Sequence, residues 1–196
     1  MELPEPDKEQ IKTLFDHIYQ IDEQAWASTV QIIEFQSLQK NQLLAQAGKN
    51  FVYEVLIVEG VIRSFITDEK GADYTLEFYR TGDFLAPHFS RTHEARSFVS
   101  LEALGPTRII LLEATQFTQL RRRHDSLMNF GAKISEAELF RKTNKEIRMA
   151  TRTAKERYFD FQKRYSKLEN LIPQTVIASY LGISPVSLSR LRAEKQ

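Results

Sequence analysis

Residues 174–192 read QTVIASYLGISPVSLSRLR, and this stretch decides the fold of the C-terminal region. Gly182 follows an apolar, helix-like segment at the point where a left-handed residue would end a helix. Ser184 is a favourable N-cap, and Pro185 falls at the first helical position, where its missing N–H costs nothing. The pattern therefore predicts two short helices joined by a tight turn, which is the sequence form of a helix-turn-helix.

The outward positions of this helix pair indicate contact with DNA. Short hydroxyl groups and guanidinium groups suit base edges and phosphates. We expect DNA contacts from Gln174, Thr175, Ser184, Ser187, Ser189, Arg190 and Arg192. A helix pair with glycine in its turn can also be an ordinary αα-corner, and that alternative stays open on these residues alone.

The distribution of charge supports a polyanion partner at one end of the chain. Residues 141–196 carry 13 Lys and Arg against 5 Asp and Glu, whereas residues 1–140 carry 14 against 21. A basic C-terminal third beside an acidic remainder is typical of a chain that meets nucleic acid at that end. A solvated basic helix surface would give the same distribution.

Composition excludes several classes of protein. A chain of 196 residues with 42% hydrophobic and 27% charged residues can bury a core in one or two domains. It contains no apolar run near the roughly 18 residues that span a membrane, and residues 1–7 lack the apolar stretch of a signal peptide, so we expect a cytoplasmic protein. The absence of cysteine excludes disulfides, thiolate zinc sites and cysteine-ligated iron–sulfur clusters.

Short β-rich runs fill residues 31–112. They alternate with turn sequences such as Glu59-Gly60 and Gly105-Pro106, and their regular spacing predicts a closed antiparallel roll or barrel. The runs that we expect to form strands cover residues 51–58, 61–67, 73–79, 96–104 and 108–112.

Helical patterns flank this region, with helices expected within residues 8–30, over 124–149 and over 154–166. On the long helix, Leu127, Phe130, Ile134 and Ala137 recur at a spacing of three to four residues. Such a narrow apolar stripe favours a seam against a second subunit, and we expect these four residues at a dimer interface. A helix lying on its own domain would carry the same stripe.

The order of these parts resembles the CRP/FNR (cyclic-AMP receptor/fumarate-nitrate regulator) family of bacterial transcription regulators. The resemblance covers nearly the whole chain and is carried by VEGV at 58–61, TGDFL at 81–85, Arg96-Ser97, and IASYLGIS at 177–184. It implies an α+β fold with three parts: a cyclic-nucleotide-binding-like β-roll sensor (1–123), a long dimerisation helix (124–150) and a helix-turn-helix domain (151–196).

The function implied by the resemblance is regulation of transcription without catalysis. A homodimer would hold two reading helices about one DNA turn apart, so the expected partner is double-stranded DNA with an inverted-repeat operator. Arg190 matches the family's guanine-reading arginine. RNA polymerase is a further partner that the resemblance implies.

The same resemblance points to a ligand site in the β-roll. In cyclic-nucleotide-binding members an Arg-Ser pair holds the cyclic phosphate, and Arg96 and Ser97 match that pair, with Thr143 near the family's adenine contact. Ala86-Pro87 stands where those members carry Gly-Glu, so a standard cyclic-AMP response is not expected. A different small-molecule effector remains open.

Two other classes of protein remain as alternatives. The first is a ligand-binding module whose helix-turn-helix contacts proteins only. The second is a metal-dependent β-barrel enzyme, for which His88, His93 and Glu94 are the nearest candidate ligands. We expect no metal there, because the histidines lie five residues apart in one loop segment and not on strands as His-x-His.

Overall fold

The structure is a computed structural model that describes residues 5–85, 87–166 and 168–193. Two helices begin the chain, α1 (Glu5–Ile18) and α2 (Glu23–Val30). The β-rich region follows as β1 (Ile33–Leu38), β2 (Leu43–Ala45), β3 (Tyr53–Glu59), β4 (Val61–Thr67), β5 (Asp73–Arg80), the short helix α3 (His88–Arg91), β6 (Thr92–His93), β7 (Arg96–Ser97), β8 (Ser100–Ala103) and β9 (Thr107–Glu113). The remaining helices are α4 (Ala114–Arg123), α5 (Asp125–Thr151), α6 (Ala154–Arg164), α7 (Gln174–Leu181) and α8 (Pro185–Ala193).

The strands form two antiparallel sheets and a small hairpin. Their orders are β1-β9-β3 and β2-β8-β4-β5, with β6 and β7 paired separately. Gly60 joins β3 to β4 with φ +101°, and a Cβ atom there would lie 2.7 Å from the Pro106 carbonyl oxygen, so only glycine fits this turn. The predicted α+β fold with an antiparallel β-roll is confirmed, although the run at 96–104 is divided between β7 and β8.

Two apolar layers hold the β-roll together. One lies between the sheets and includes Val55, Ile62 and Ile109, all fully buried. The other packs helices against the sheet β1-β9-β3, where the Phe15 and Phe130 rings stack at 4.8 Å. Burial of such side chains contributes roughly 1.5–3 kcal/mol each, so α5 is anchored firmly to its own β-roll through its first half.

This packing corrects the predicted dimer seam. Leu127 and Phe130 are 0% exposed and Ile134 is 9% exposed, because all three face the second apolar layer of their own subunit. Side chains buried within one subunit cannot cover a partner, so the prediction that they form the dimer interface is wrong. Ala137 is exposed and borders a small cavity beside Gly82. The alternative, a helix lying on its own domain, accounts for the stripe.

The C-terminal helices pack on the edge strand β5. Phe78 of β5 joins an aromatic cluster with Phe161, Tyr165 and Tyr180, whose ring centroids lie 4.9–6.1 Å from that of Phe78. Thr153 begins α6 with a capping box to Glu156. Within the described residues beyond 151 there are helices and turns and no strand, and no described helix is long and apolar enough to cross a membrane.

A serine on α7 completes the unpaired edge of β5. The Ser179 hydroxyl accepts a hydrogen bond from the Thr75 backbone N–H at 2.7 Å and donates one to the Asp73 carbonyl oxygen at 2.8 Å. An edge strand leaves such groups without a neighbouring strand. Ser179 therefore fixes α7 against the β-roll with specific polar contacts in addition to the aromatic cluster.

Candidate functional site

The turn between α7 and α8 has the geometry that the sequence predicts. Gly182 ends α7 in the left-handed conformation at φ 67°, and the Ile183 N–H returns to the Ala178 carbonyl oxygen at 3.0 Å. The Ser184 hydroxyl caps α8 by accepting the Ser187 N–H at 3.1 Å. These contacts fix the entry of α8 relative to α7.

Helix α8 has one buried face and one exposed face. Leu188 is fully buried in the core shared with α7, and Leu191 packs partly against that core. The opposite side is exposed and carries Pro185, Val186, Ser189, Arg190 and Ala193. This exposed side of α8, named the reading face below, offers a guanidinium and a hydroxyl group to an external partner.

The other predicted DNA contacts differ in their accessibility. Gln174 and Thr175 are exposed at the start of α7. Ser187 is half-buried, with its hydroxyl 2.9 Å from that of Ser184, so it supports the cap. Arg192 is half-buried and lies 3.6 Å from the Glu169 carboxylate, so this ion pair holds the end of α8 to the turn between α6 and α7.

Basic side chains gather where α5 meets α6. Arg148, Lys163 and Arg164 surround a shallow depression there, together with Arg152, whose guanidinium pairs with Asp160 at 2.7 Å. A cluster of this kind favours contact with phosphates. It lies on the same C-terminal third that the charge distribution singles out.

A cavity of about 370 Å³ lies between the sheet β2-β8-β4-β5 and α5. Its apolar wall includes Leu76, Leu85, Val99 and Leu101. The charged side chains that line it are Arg91, Arg141, Lys142 and Lys145 against Glu77, Glu138 and Glu146. Within the described residues the wall therefore carries one more cation than anions, four against three.

Arg141 is a cation of this wall whose contacts with carboxylates are long. Its guanidinium lies 3.8 Å from Asp83, 3.9 Å from Glu138 and 4.8 Å from the centre of the Tyr79 ring. Both carboxylate distances exceed a normal hydrogen bond. Its Nη1 atom is buried and has no hydrogen-bond partner in the described part of the chain. Buried polar atoms are nearly always satisfied, so this donor is suited to a ligand acceptor.

Burial shifts the pKa values of two neighbouring groups on α5. Burial raises the pKa of the Glu138 carboxyl above its usual value, although Arg141 and Lys142 oppose the rise. Burial also lowers the pKa of the Lys145 ammonium to about 8. The face of α5 that lines the cavity therefore holds charges that are poorly solvated and sensitive to what occupies the cavity.

The predicted ligand residues do not reach this cavity. Arg96 is exposed on the β6-β7 hairpin, and Thr143 is exposed on α5. Ser97 is buried, but its hydroxyl donates to the Val99 carbonyl oxygen at 2.7 Å. None of the three lines this cavity, so their role as ligand contacts stays a prediction about the β6-β7 hairpin and α5 outside its wall. Arg91 at the end of α3 is the arginine of this segment that lines the cavity.

The sequence contained a signal for the residues that do line the cavity. The inward stripe of α5 continues at the same spacing from Ile134 to Glu138, Arg141 and Lys145. Charged side chains at positions that continue a buried apolar stripe indicate a functional cavity or a specific ion pair. Of the substituted pair 86-87, Pro87 is buried, and Ala86 lies outside the described residues.

The described residues contain no group of three His, Cys, Asp or Glu side chains that could hold a metal ion. His88 instead donates its backbone N–H to the buried Glu54 carboxylate at 2.9 Å. The His93 ring stacks on Phe98 at 6.3 Å.

Comparisons with known proteins give the fold a family context. No protein-family profile matches the sequence, and no curated protein is significantly similar to it. Among solved structures, FixK2 from Bradyrhizobium japonicum matches with a TM-score of 0.70 and 17% identity, over 83% of this chain and 84% of that chain. A transcriptional regulator of the CRP/FNR family from Eubacterium rectale matches with a TM-score of 0.69 and 15% identity, over 87% of this chain and 82% of that one.

A third match links the fold to a regulator that responds to a small molecule. The c-di-GMP-responsive global regulator CLP from Xanthomonas campestris matches with a TM-score of 0.67 and 14% identity, over 89% of this chain and 92% of that chain. The matches span both the β-roll and the C-terminal helices, since each covers more than four-fifths of this chain. The resemblance inferred from the sequence is thereby confirmed for the fold, and this chain has the fold of the CRP/FNR transcription regulators.

Proposed function

We propose that this protein is a homodimeric, sequence-specific DNA-binding transcription regulator. The observation that carries the proposal is the reading face of α8, which is exposed while the opposite face is locked into the helix-turn-helix core. A helix held in this way can enter the major groove of DNA. The similarity of the fold to CRP/FNR regulators supports the same conclusion.

Individual residues have different parts in the proposed interface. Arg190 and Ser189 would read base edges, since a guanidinium can bind guanine with two hydrogen bonds and a hydroxyl accepts or donates. Gln174 and Thr175 at the start of α7 would contact phosphates. Arg192 is held by Glu169, so we assign it a positioning role beside the interface.

The second subunit would bind the outer face of α5. This face is opposite the buried stripe and carries exposed apolar side chains, with Leu139 68% and Phe140 72% exposed and with Met128, Ala132 and Ile147 along it. Large exposed apolar patches on a helix indicate a protein interface. Two-fold pairing of α5 would place two copies of α8 for an inverted repeat.

This arrangement keeps the three-part division at 1–123, 124–150 and 151–196. The helix boundaries support this division, because α4 ends at Arg123 and α5 runs from Asp125 to Thr151. The first part would sense, the second would pair the subunits, and the third would bind DNA.

A small molecule in the cavity between the β-roll and α5 would control DNA binding. Lys145 lines the cavity, donates to the Leu76 carbonyl oxygen and lies 4.2 Å from the Tyr180 ring of α7. Glu77 also lines the cavity and accepts a hydrogen bond from the Tyr165 hydroxyl at 2.7 Å. A ligand that binds one arrangement of these side chains more tightly would therefore shift the position of the helix-turn-helix.

Selection of bound sequences from a random DNA pool tests this function. The proposal expects an enriched inverted repeat and an affinity that falls steeply with salt, because phosphate contacts release counterions. A pool without an enriched sequence, or an affinity indifferent to salt, would contradict a DNA-reading role.

A further inference from the structure

The cavity between the β-roll and α5 has a chemistry that differs from the site expected from the resemblance. Its volume of about 370 Å³ falls in the range of small-ligand pockets, roughly 300–1,000 Å³. Leu76, Leu85, Val99 and Leu101 provide an aliphatic wall, and Ser64 provides a neutral hydroxyl. Most of a ligand's surface would therefore meet hydrocarbon.

Arg141 supplies a buried hydrogen-bond donor to this wall. Its Nη1 atom is buried without a partner among the described residues, and its contacts to Asp83 and Glu138 are ion contacts at 3.8 and 3.9 Å. A planar guanidinium with unused donors binds a carboxylate through short, charge-assisted hydrogen bonds. The Tyr79 ring under the guanidinium holds it in place at 4.8 Å.

The remaining charges favour a ligand with one negative charge over a dianion. The cations of the wall exceed its carboxylates by one, and Glu138 and Glu146 would repel a dianion. Glu77 is occupied by the Tyr165 hydroxyl and the Phe78 N–H at 2.7 and 3.0 Å, so it offers little to a ligand hydroxyl. A sugar and a purine would leave several polar groups unsatisfied against this wall, which is unfavourable.

We propose that the cavity binds a small apolar acid, with its single carboxylate on Arg141 and its hydrocarbon body against the aliphatic wall of the β-roll. This inference rests on the proposed effector control and names the chemical class of the effector. Arg96 and Ser97 take no part, because neither lines the cavity.

A matched pair of fluorescent probes tests the proposal on the full chain without DNA. Anilinonaphthalene sulfonate is an apolar monoanion, and N-phenyl-1-naphthylamine has the same rings without the charge. We expect the anionic probe to bind once per chain and to be displaced by decanoate. Arg141→Met should weaken its binding about tenfold or more, as expected for loss of a charge-assisted hydrogen bond. The uncharged probe should bind the variant and the wild type within about twofold, which also shows that the variant's cavity is intact.

Two further variants test whether the anionic probe binds beside Arg141 and not elsewhere on the chain. Glu138→Gln removes the carboxylate next to Arg141 and should tighten binding of the anionic probe several-fold. Its affinity for the uncharged probe should stay unchanged, whereas apolar surface exposed by misfolding would increase the binding of both probes. Arg96→Met should leave the affinity unchanged. The proposal fails if wild type does not bind one anionic probe per chain that decanoate displaces, or if Arg141→Met binds the probe as tightly as wild type does. It also fails if cyclic AMP displaces the probe from wild type but not from Arg96→Met.

The outcome for the ligand and the outcome for DNA are independent. If the anionic probe binds through Arg141 but the protein selects no DNA sequence, the acid site is supported and the proposed role as a transcription regulator is rejected. Selective DNA binding by a protein whose cavity ignores apolar acids would reject the acid site alone.

Discussion

Replacing Leu139 with aspartate should separate the subunits without unfolding them. Leu139 lies on the outer face of α5 and is 68% exposed in a single subunit, so its removal leaves the subunit's own core intact. Full burial of a leucine contributes roughly 1.5–3 kcal/mol, and about two-thirds of that remains to be gained at a dimer interface. A two-fold interface contains the residue twice.

The expected loss is therefore about 3 kcal/mol from apolar burial alone, before repulsion between the two new carboxylates. A loss of this size raises the dimer dissociation constant more than about 100-fold, since every 1.4 kcal/mol is a factor of ten. Sedimentation equilibrium over a wide range of concentration measures that constant directly. The far-ultraviolet circular dichroism of Leu139→Asp should match that of wild type.

Leu171→Asp is the matched control, because Leu171 is similarly exposed, at 63%, but lies outside α5. It should leave the dimer constant unchanged. A wild-type protein that stays monomeric, or a Leu139→Asp variant that dimerises as tightly as wild type, would refute the assignment of the outer face.

Two other substitutions test how the C-terminal helices are held. Lys145→Met should remove the contribution that Lys145 makes to the pH dependence of the free energy of unfolding. This contribution arises because burial lowers the pKa of Lys145 from 10.5 to about 8. Between these pH values the unfolded chain binds more protons than the folded one, so the Lys145 contribution to wild-type stability rises with pH, by up to about 3 kcal/mol. Urea unfolding at pH 7.5 and 10 should show this rise in the difference between wild type and variant, and a constant difference would contradict it. Ser179→Ala should lower the free energy of unfolding by about 1–3 kcal/mol, because the Thr75 N–H loses its acceptor. Ser28→Ala serves as its control, because the half-buried Ser28 hydroxyl donates to the Gln24 carbonyl oxygen of its own helix, and it should change stability little. Equal effects of the two would argue against a specific contact with β5.

The parts of the fold that the sequence predicted are those set by local physics. Gly182, Ser184 and Pro185 each have a backbone preference that acts within one turn, and the structure places them as a helix end, an N-cap and a helix start. Strand alternation likewise depends on near neighbours, so the strands at 61–67 and 73–79 appear within one residue of their predicted ends.

Long-range packing decided what the sequence could not predict. The stripe of Leu127, Phe130 and Ile134 shows that one face of α5 is covered, but its periodicity does not say by what, and the cover is the subunit's own aromatic layer. The cavity depends in the same way on how α5 crosses the sheet. An arginine five residues before Arg96 lies in its wall because of the geometry of α3 and the hairpin, which no local preference specifies.

The reading face of α8 carries the central claim, and Arg190→Ala tests it most directly. Wild type and variant should be titrated, by fluorescence anisotropy at fixed salt, against the inverted repeat enriched from a random pool and against unrelated DNA. Arg96→Ala, which removes an exposed arginine far from α8 in sequence, serves as control. Loss of a bidentate guanine contact costs roughly 1–3 kcal/mol, so Arg190→Ala should weaken binding to the selected repeat about 5- to 150-fold and reduce its preference over unrelated DNA, whereas the control binds as wild type does. An Arg190→Ala variant that keeps both the affinity and the preference of wild type would contradict the claim that this helix reads DNA.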